Sequence, residues 1–212
     1  MTPSRIVAPS LPELIARASG LATPGERRIL GIAGPPGAGK STLALAVCEA
    51  LAGRAVLVPM DGFHRSNEEL VTLGLGDRKG APETFDADGF VALLAAVHAG
   101  AAVRAPAFDR DLDSAIPDAI HVPDGVPLVV VEGNYLLLDD GPWVAVRALL
   151  HEAWYLTGDD TRVERLIARH VAHGRTEEAA REWVLRSDEA NARVIEPTAP
   201  RADLVVLGLP GR

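Results

Sequence analysis

Five short runs of the chain are continuously apolar and are flanked by glycine or by polar residues. Runs of this kind are typical of strands that are buried on both faces of a sheet. The segments between the runs space their apolar residues as amphipathic helices do. This alternation predicts an α/β fold in which helices cover both faces of a parallel sheet. The five predicted strands are residues 29–33, 55–58, 128–131, 153–156 and 204–207.

Helices are predicted where apolar residues recur every three or four positions. The first begins at a capping-box pattern formed by Ser10 and Glu13. Two shorter extended segments, at 103–108 and 119–122, flank a predicted turn at 109–117, and we interpret them as insertions outside the sheet. The remaining helices are predicted around residues 43–51, 90–97, 142–150, 160–173 and 176–195.

Length and composition limit the possible classes of protein. The 212 residues, 48% of them hydrophobic, are enough to bury a core and are expected to form one domain, residues 1–212. A formal net charge of -8 argues against a nucleic-acid or membrane-binding surface, because both would favour a basic patch. We recognise no signal peptide or membrane-spanning run and expect a soluble, cytoplasmic protein. Cys48, the one cysteine, cannot form an internal disulfide and is expected to be buried.

The stretch after the first predicted strand fits GxxxxGK[ST], the phosphate-binding P-loop, and a helix follows it. Glycines let the backbone wrap around phosphates, and successive N–H groups face the anion. Lys40 would reach the outer phosphates, and the Ser41 hydroxyl would bind magnesium. A chance glycine-rich turn is the alternative. The predicted nucleotide-binding residues are Gly34, Pro35, Pro36, Gly37, Ala38, Gly39, Lys40, Ser41 and Thr42.

Two carboxylates follow predicted strands and therefore lie at the same sheet edge as this loop. Asp61 comes shortly after the second strand, and Glu132 directly after the third. Phosphoryl transfer to a hydroxyl needs a metal on the phosphates and a base or orienting acceptor for the nucleophile. We assign Asp61 as the base and Glu132 to magnesium or its water shell. The alternative is that either acid only caps the next turn.

Arginines recur along one side of the helix that begins near Asp160. Arg162, Arg165 and Arg169 follow the spacing i, i+3 and i+7. Such a row is often a solvated face, but arginines that close over a triphosphate also stabilise transferring charge, which favours a lid. For His64 and Lys79 both a substrate contact and an ordinary surface role stay open. The other histidines show no metal-ligand pattern, and His170 and His173 are predicted to be exposed because no acid partner is evident.

Several motifs, in the same order along the chain, resemble the phosphoribulokinase/uridine kinase superfamily. The segment from Arg78 to Asp86 looks especially like type I pantothenate kinases and bacterial kinase-like proteins assigned to fructose or nucleosides. The resemblance implies a three-layer P-loop fold: a doubly wound, parallel five-stranded sheet of order 2-3-1-4-5 with a helical lid near 160–195. The motifs are the P-loop, Asp61-Gly62-Phe63, Pro106-Ala107-Phe108-Asp109, Glu132-Gly133, and the arginine-rich segment that runs to Glu196-Pro197-Thr198 with Ala202-Asp203.

Carried over by position, the resemblance implies roles for individual residues. Lys40, Asp61, Arg165 and Arg169 would be catalytic. Ser41 and Glu132 would hold Mg²⁺, with ATP as the other cofactor. The predicted acceptor-binding residues are Asp61, His64, Arg78, Lys79, Phe85, Asp109, Arg110, Asn134 and Tyr135.

The sequence therefore predicts an ATP- and Mg²⁺-dependent kinase that phosphorylates a hydroxyl of a small metabolite, which is its expected partner. A sugar, a pantothenate-like compound and a nucleoside all stay open as the acceptor. One alternative function is a nucleotide-dependent switch or an ATPase without an acceptor, although no Asn-Lys dipeptide is present from which a guanine-reading motif could be built. Another is a binding module that has lost catalysis. The family alone makes a homodimer plausible.

Overall fold

The computed structural model describes residues 5–208, so the ends of the predicted domain, residues 1–4 and 209–212, lie outside the described residues. The strands within this range are β1 (Arg5–Val7), β2 (Arg28–Ala33), β3 (Ala55–Pro59), β4 (Val103–Asp109), β5 (Ser114–Val122), β6 (Leu128–Gly133), β7 (Glu152–Leu156) and β8 (Leu204–Val206). The α-helices are α1 (Leu11–Leu21), α2 (Lys40–Ala50), α3 (Asn67–Thr72), α4 (Ala87–His98), α5 (Val146–Leu149), α6 (Arg162–Ala172), α7 (Glu177–Trp183) and α8 (Glu189–Ile195).

Six of these strands form one parallel sheet in the order β3-β6-β2-β7-β8-β1. The five predicted strands are all present and have the predicted order 2-3-1-4-5. The α/β fold is thus confirmed. The sixth strand, β1, was not predicted, because it has three residues and pairs along one side only, with β8.

Helices cover both faces of the sheet and bury its apolar runs. All six residues of β6 are buried, and its side chains alternate between two cores. Val129 and Val131 belong to the core under α4 and α5, whereas Leu128 and Val130 belong to the core under α1 and α2. Burying one such side chain stabilises the fold by about 1.5–3 kcal/mol. Burial on both faces explains why the strand sequence does not alternate with polar residues.

The insertion β4–β5 is an antiparallel hairpin outside the main sheet, as predicted, but its turn is shorter than expected. Asp109 pairs with Ser114, so the predicted turn at 109–117 was wrong. The Asp109 carboxylate accepts the backbone N–H groups of Asp111 and Leu112 and thereby closes the turn. Pro117 suggested a turn, yet it lies inside β5. A proline is tolerated there because β5 is an edge strand.

Two of the predicted helices are interrupted. The segment predicted at 142–150 is a 3-10 helix, Gly141–Ala145, followed by the single turn α5. The segment predicted at 176–195 contains a π-helical turn, Val184–Asp188, between α7 and α8. A π turn inserts an extra residue into the helix and often marks a functional site.

Candidate active site

A cavity of about 790 Å³ lies at the carboxyl ends of the central strands, between the P-loop, the β4–β5 hairpin and helices α6 to α8. Ligands of open α/β sheets bind at this edge. The predicted site residues that line the cavity are Pro36, Gly37, Gly39, Lys40, Ser41, Thr42, Asp61, His64, Lys79, Phe85, Arg110, Glu132, Asn134, Arg165 and Arg169.

The backbone of the P-loop requires glycine where it passes closest to the rest of the protein. Gly34 has φ +147°, and a Cβ atom there would lie 2.3 Å from the Leu156 carbonyl oxygen. Gly37 has φ +77°, and a Cβ atom there would lie 2.9 Å from Leu166 in α6. Positive φ angles favour glycine and allow consecutive N–H groups to form a concave anion site. This cradle fits a polyphosphate.

Lys40 is buried at the start of α2, with 7% of its surface exposed. Its ammonium group donates to the Asn134 Oδ1 atom at 2.7 Å and to the Pro35 carbonyl at 3.0 Å. Burial lowers the pKa of Lys40 to about 8, although the carboxylates of Glu132 and Asp61 partly offset the effect. Asn134 therefore holds the lysine of the P-loop.

The Ser41 hydroxyl donates to the Glu132 Oε1 atom at 3.0 Å. Glu132 is 6% exposed, and burial together with the charge of Asp61 raises its pKa. A hydroxyl and a carboxylate are ligands that suit Mg²⁺, which usually takes one or two carboxylates and completes its coordination with waters and substrate phosphates. Within residues 5–208, no three His, Cys, Asp or Glu side chains form a metal site by themselves. The pair thus fits a magnesium ion shared with phosphates.

Asp61 follows β3 in the 3-10 turn Met60–Phe63. Its Oδ2 atom accepts a hydrogen bond from Arg110 at 3.0 Å, which leaves Oδ1 for another partner. His64 packs against Phe85, with ring centroids 4.0 Å apart, and its Nδ1 atom lies 2.9 Å from the Asp61 carbonyl. Burial lowers the pKa of His64, and its charged form is disfavoured.

The arginines of α6 divide into two roles. Arg165 donates to the Gly37 carbonyl at 2.9 Å and pairs with Asp159 at 2.8 Å. Arg169 lines the cavity, and within residues 5–208 its guanidinium forms no ion pair with a carboxylate. Loss of solvation, and to a smaller extent the charge of Arg110, lowers the pKa of Arg169. A guanidinium that faces the cavity without a carboxylate partner can pair with an incoming anion.

Lys79 donates to three oxygen atoms, one from α3 and two from the tip of the hairpin. It donates to Asn67 Oδ1 and Asp113 Oδ2, each at 2.7 Å, and to the Asp113 carbonyl at 3.1 Å. Its ammonium group also lies 5.5 Å from the centre of the Phe108 ring. Asn67 and Asp113 were not predicted as site residues, and both line the cavity. No local pattern links them to Lys79, because they come from α3 and from a turn 34 residues away.

Three predicted acceptor-binding residues do not line the cavity. Arg78 is exposed and pairs with Glu83 at 2.7 Å, and Asp109 closes the hairpin turn. Tyr135 is fully buried, and its hydroxyl donates to the Gly80 carbonyl at 2.5 Å. All three residues therefore contact the loops around the cavity and stabilise them.

The expectation for His170 was wrong. His170 is half-buried, and its Nε2 atom lies 3.2 Å from the Asp188 carboxylate at the end of the π turn. Burial lowers its pKa, with Asp188 opposing the effect. The pairing was missed because the two residues lie on different helices. His173 is exposed, as predicted.

Comparisons with known proteins agree with this geometry. The family model for the phosphoribulokinase/uridine kinase family matches residues 29–212. A protein of unassigned function from Escherichia coli K12, YggC, is 35% identical over 86% of this chain and 78% of its own length. A Schizosaccharomyces pombe protein provisionally named a uridine kinase is 34% identical over 93% of this chain and 90% of its own.

A solved structure from Silicibacter sp. TM1040 is similar as well; it is provisionally named a fructose transport system kinase. It is 36% identical, superimposes with a TM-score of 0.85, and covers 93% of this chain and 99% of its own. In the part of the chain that the structure describes, no helix is long and apolar enough to cross a membrane. The match over residues 29–212 and the P-loop geometry together show that this chain belongs to the phosphoribulokinase/uridine kinase family of P-loop kinases.

Proposed function

We propose that this protein is an ATP- and Mg²⁺-dependent kinase that transfers the γ-phosphoryl group to a hydroxyl of a small metabolite. One observation carries the proposal: Lys40, the Ser41–Glu132 pair and Asp61 open into a single cavity. Phosphoryl transfer requires a phosphate site, a metal site and a group that orients the nucleophile within one enclosed space.

The donor side of the cavity fits the phosphates of ATP. The N–H groups of the P-loop and the Lys40 ammonium would bind the β- and γ-phosphates. Ser41 and Glu132 would hold magnesium, which when bound offsets the negative charge of the phosphates. Arg169 lines the cavity, has no carboxylate partner among the described residues, and would pair with the transferring group. Arg165 lies against the P-loop and would add a second positive charge.

The acceptor side is organised around Asp61. Arg110 binds the Oδ2 atom and orients the carboxylate, so that Oδ1 can accept the hydrogen of the acceptor hydroxyl. The acceptor oxygen then forms a bond to the γ-phosphorus as the bond to the β,γ-bridging oxygen breaks. The electron pair of that bond leaves with ADP, and the hydroxyl proton moves to Asp61.

The cavity wall suggests a polar acceptor. Asn67, Lys79, Asp113 and Asn191 supply hydrogen-bonding groups, and Phe85 and Phe108 supply the apolar surface near His64. Sugars, nucleosides and pantothenate-like compounds each combine a primary hydroxyl with further polar groups. We therefore propose an acceptor from one of these three classes.

An acceptor screen tests the proposal. Formation of ADP from MgATP is measured with pantothenate, uridine, cytidine, fructose and ribulose 5-phosphate, with the Asp61→Asn variant as the control. Stimulation by one acceptor that disappears in the variant is the expected result. ATP turnover that no acceptor changes would instead favour an ATPase or a nucleotide-dependent switch.

A further inference from the structure

Arg162, in the first turn of α6, is one of the few charged residues that are buried in this protein, with 8% of its surface exposed. It does not line the cavity. Its Nη1 atom donates to the carbonyl of Pro36, in the P-loop, at 3.0 Å. Its Nη2 atom binds the carboxylate of Glu189, the first residue of α8. A single guanidinium thus joins the phosphate loop to the last helix of the predicted lid.

The bond to Pro36 bears on the orientation of the phosphate loop. The Pro36–Gly37 peptide is trans, so its carbonyl and its N–H point to opposite sides of the loop. Arg162 is buried and does not line the cavity, so we infer that the carbonyl it binds faces away from the cavity and that the Gly37 N–H faces towards it. The side chain also packs closely here: a Cβ atom on Gly37 would lie 3.0 Å from Arg162 Cγ. The arginine therefore supports the loop both by contact and by hydrogen bonding.

The position of Arg162 depends in turn on Glu189. Its side chain runs past Gly158, where a Cβ atom would lie 2.4 Å from Arg162 Cδ, so the glycine leaves the room that this path needs. A buried charge is costly without its partner, and loss of the Glu189 charge leaves the guanidinium uncompensated. Glu189 directly follows the π turn, Val184–Asp188, that interrupts the helix. The orientation of the phosphate loop is thereby linked to the place where the lid helix is irregular.

We propose that Arg162 and Glu189 are positioning residues of the phosphate loop, which orient its N–H groups for the phosphates of ATP without touching the nucleotide. The inference rests on the proposed use of ATP. It goes beyond that function because two residues outside the GxxxxGK[ST] motif, Arg162 and Glu189, would support the P-loop. A purely structural ion pair would stabilise the fold and leave nucleotide affinity unchanged.

The test measures the Kd for MgATP by titration calorimetry, together with the Tm of each nucleotide-free variant. Arg162→Met is expected to weaken MgATP binding about 10- to 100-fold, which corresponds to ~1.4–2.8 kcal/mol. Arg162→Lys keeps the charge, but an ammonium group lacks the planar guanidinium that reaches both oxygen partners. We expect this variant to bind MgATP about tenfold more weakly. Glu189→Gln keeps the shape of the partner and is expected to cost about threefold to tenfold.

Arg147→Met is the matched control. Arg147 also donates to a backbone carbonyl, that of Arg201 at 2.9 Å, and to a carboxylate, that of Asp203 at 2.8 Å, but it lies away from the cavity. Its loss should lower the Tm and leave the Kd for MgATP unchanged. If Arg162→Met does not fold, Arg162→Lys and Glu189→Gln carry the test.

The outcomes separate this inference from the proposed function. Weaker MgATP binding in the Arg162 and Glu189 variants, with unchanged binding in the control, supports positioning. If the variants lose only Tm, as the control does, and bind MgATP as tightly as the wild type, the positioning role is refuted and the kinase proposal stands. A wild-type protein that binds no MgATP would overturn both.

Discussion

Replacement of Lys40 by methionine should stabilise the nucleotide-free protein while it abolishes ATP binding. Lys40 is buried, and its positive charge is placed where phosphates are expected to bind. Without a nucleotide the protein carries the cost of burying that charge. A functional group of this kind reduces the stability of the fold. Methionine fills a similar volume and has no charge.

The magnitude follows from the pKa. Burial lowers the pKa of Lys40 from 10.5 to about 8, which corresponds to ~3 kcal/mol of destabilisation when the lysine is charged. The methionine variant would leave the oxygens of Pro35 and Asn134 without their donor, at a cost of about 1–2 kcal/mol. The net expectation at pH 7 is a gain of ~1–2 kcal/mol.

Urea unfolding with EDTA and no nucleotide measures this difference. Because the folded pKa lies below the unfolded one, the unfolded state binds more protons between about pH 8 and 10.5. The stability of the wild type relative to the variant should therefore rise across that window, and the penalty should be complete below about pH 8. Lys79→Met, which removes the chain's other lysine from an ion pair with Asp113, should give no stabilisation. A Lys40→Met protein less stable than wild type at pH 7, with no pH-dependent difference, would refute the reasoning.

Two further substitutions and one reactivity measurement are informative. Asp61→Asn should lower turnover by ~10²–10⁴-fold and leave the affinity for ATP unchanged. The ion pair of Asp61 with Arg110 is partly exposed, so the free energy of unfolding should change by no more than about 1 kcal/mol. Full activity of the variant would exclude Asp61 as the base. Cys48 is half-buried and not fully buried as predicted, and this partial burial raises its pKa to about 11. At pH 8 its reaction with a thiol reagent should be about 100-fold slower in native than in urea-unfolded protein; equal rates would contradict the raised pKa. Asn191→Ala removes a donor at 3.1 Å from the Gly80 carbonyl, and both residues line the cavity. The change should raise the KM for the acceptor more than the KM for ATP; equal changes in both would contradict a role for Asn191 on the acceptor side.

The parts of the fold that depend on local sequence were predictable. The run at 128–131 is apolar throughout because β6 is buried on both faces, and it was recognised for that reason. The P-loop was recognised because its glycines, lysine and serine must be adjacent in sequence to enclose a phosphate. The resemblance then supplied the strand order, which residue spacing alone does not determine.

Features that depend on contacts between distant segments were not predictable. Arg162 belonged to an evident row of arginines, but its burial follows from the close approach of α6 to Gly37 and from the position of Glu189. The partners of Lys79 come from α3 and from the tip of the hairpin. The π turn at Val184–Asp188 leaves no pattern that separates it from a continuous helix. For Arg162 and Lys79 the determining interactions join residues that are far apart in sequence.

The fate of the γ-phosphoryl group tests the central claim most directly. Phosphorus NMR of a reaction that contains MgATP, the protein and the acceptor selected in the screen would distinguish a phosphate monoester from inorganic phosphate. We predict a new monoester signal that grows in equal amount with ADP and is absent when Asp61→Asn replaces the wild type. Formation of ADP with inorganic phosphate as the sole other product would contradict it.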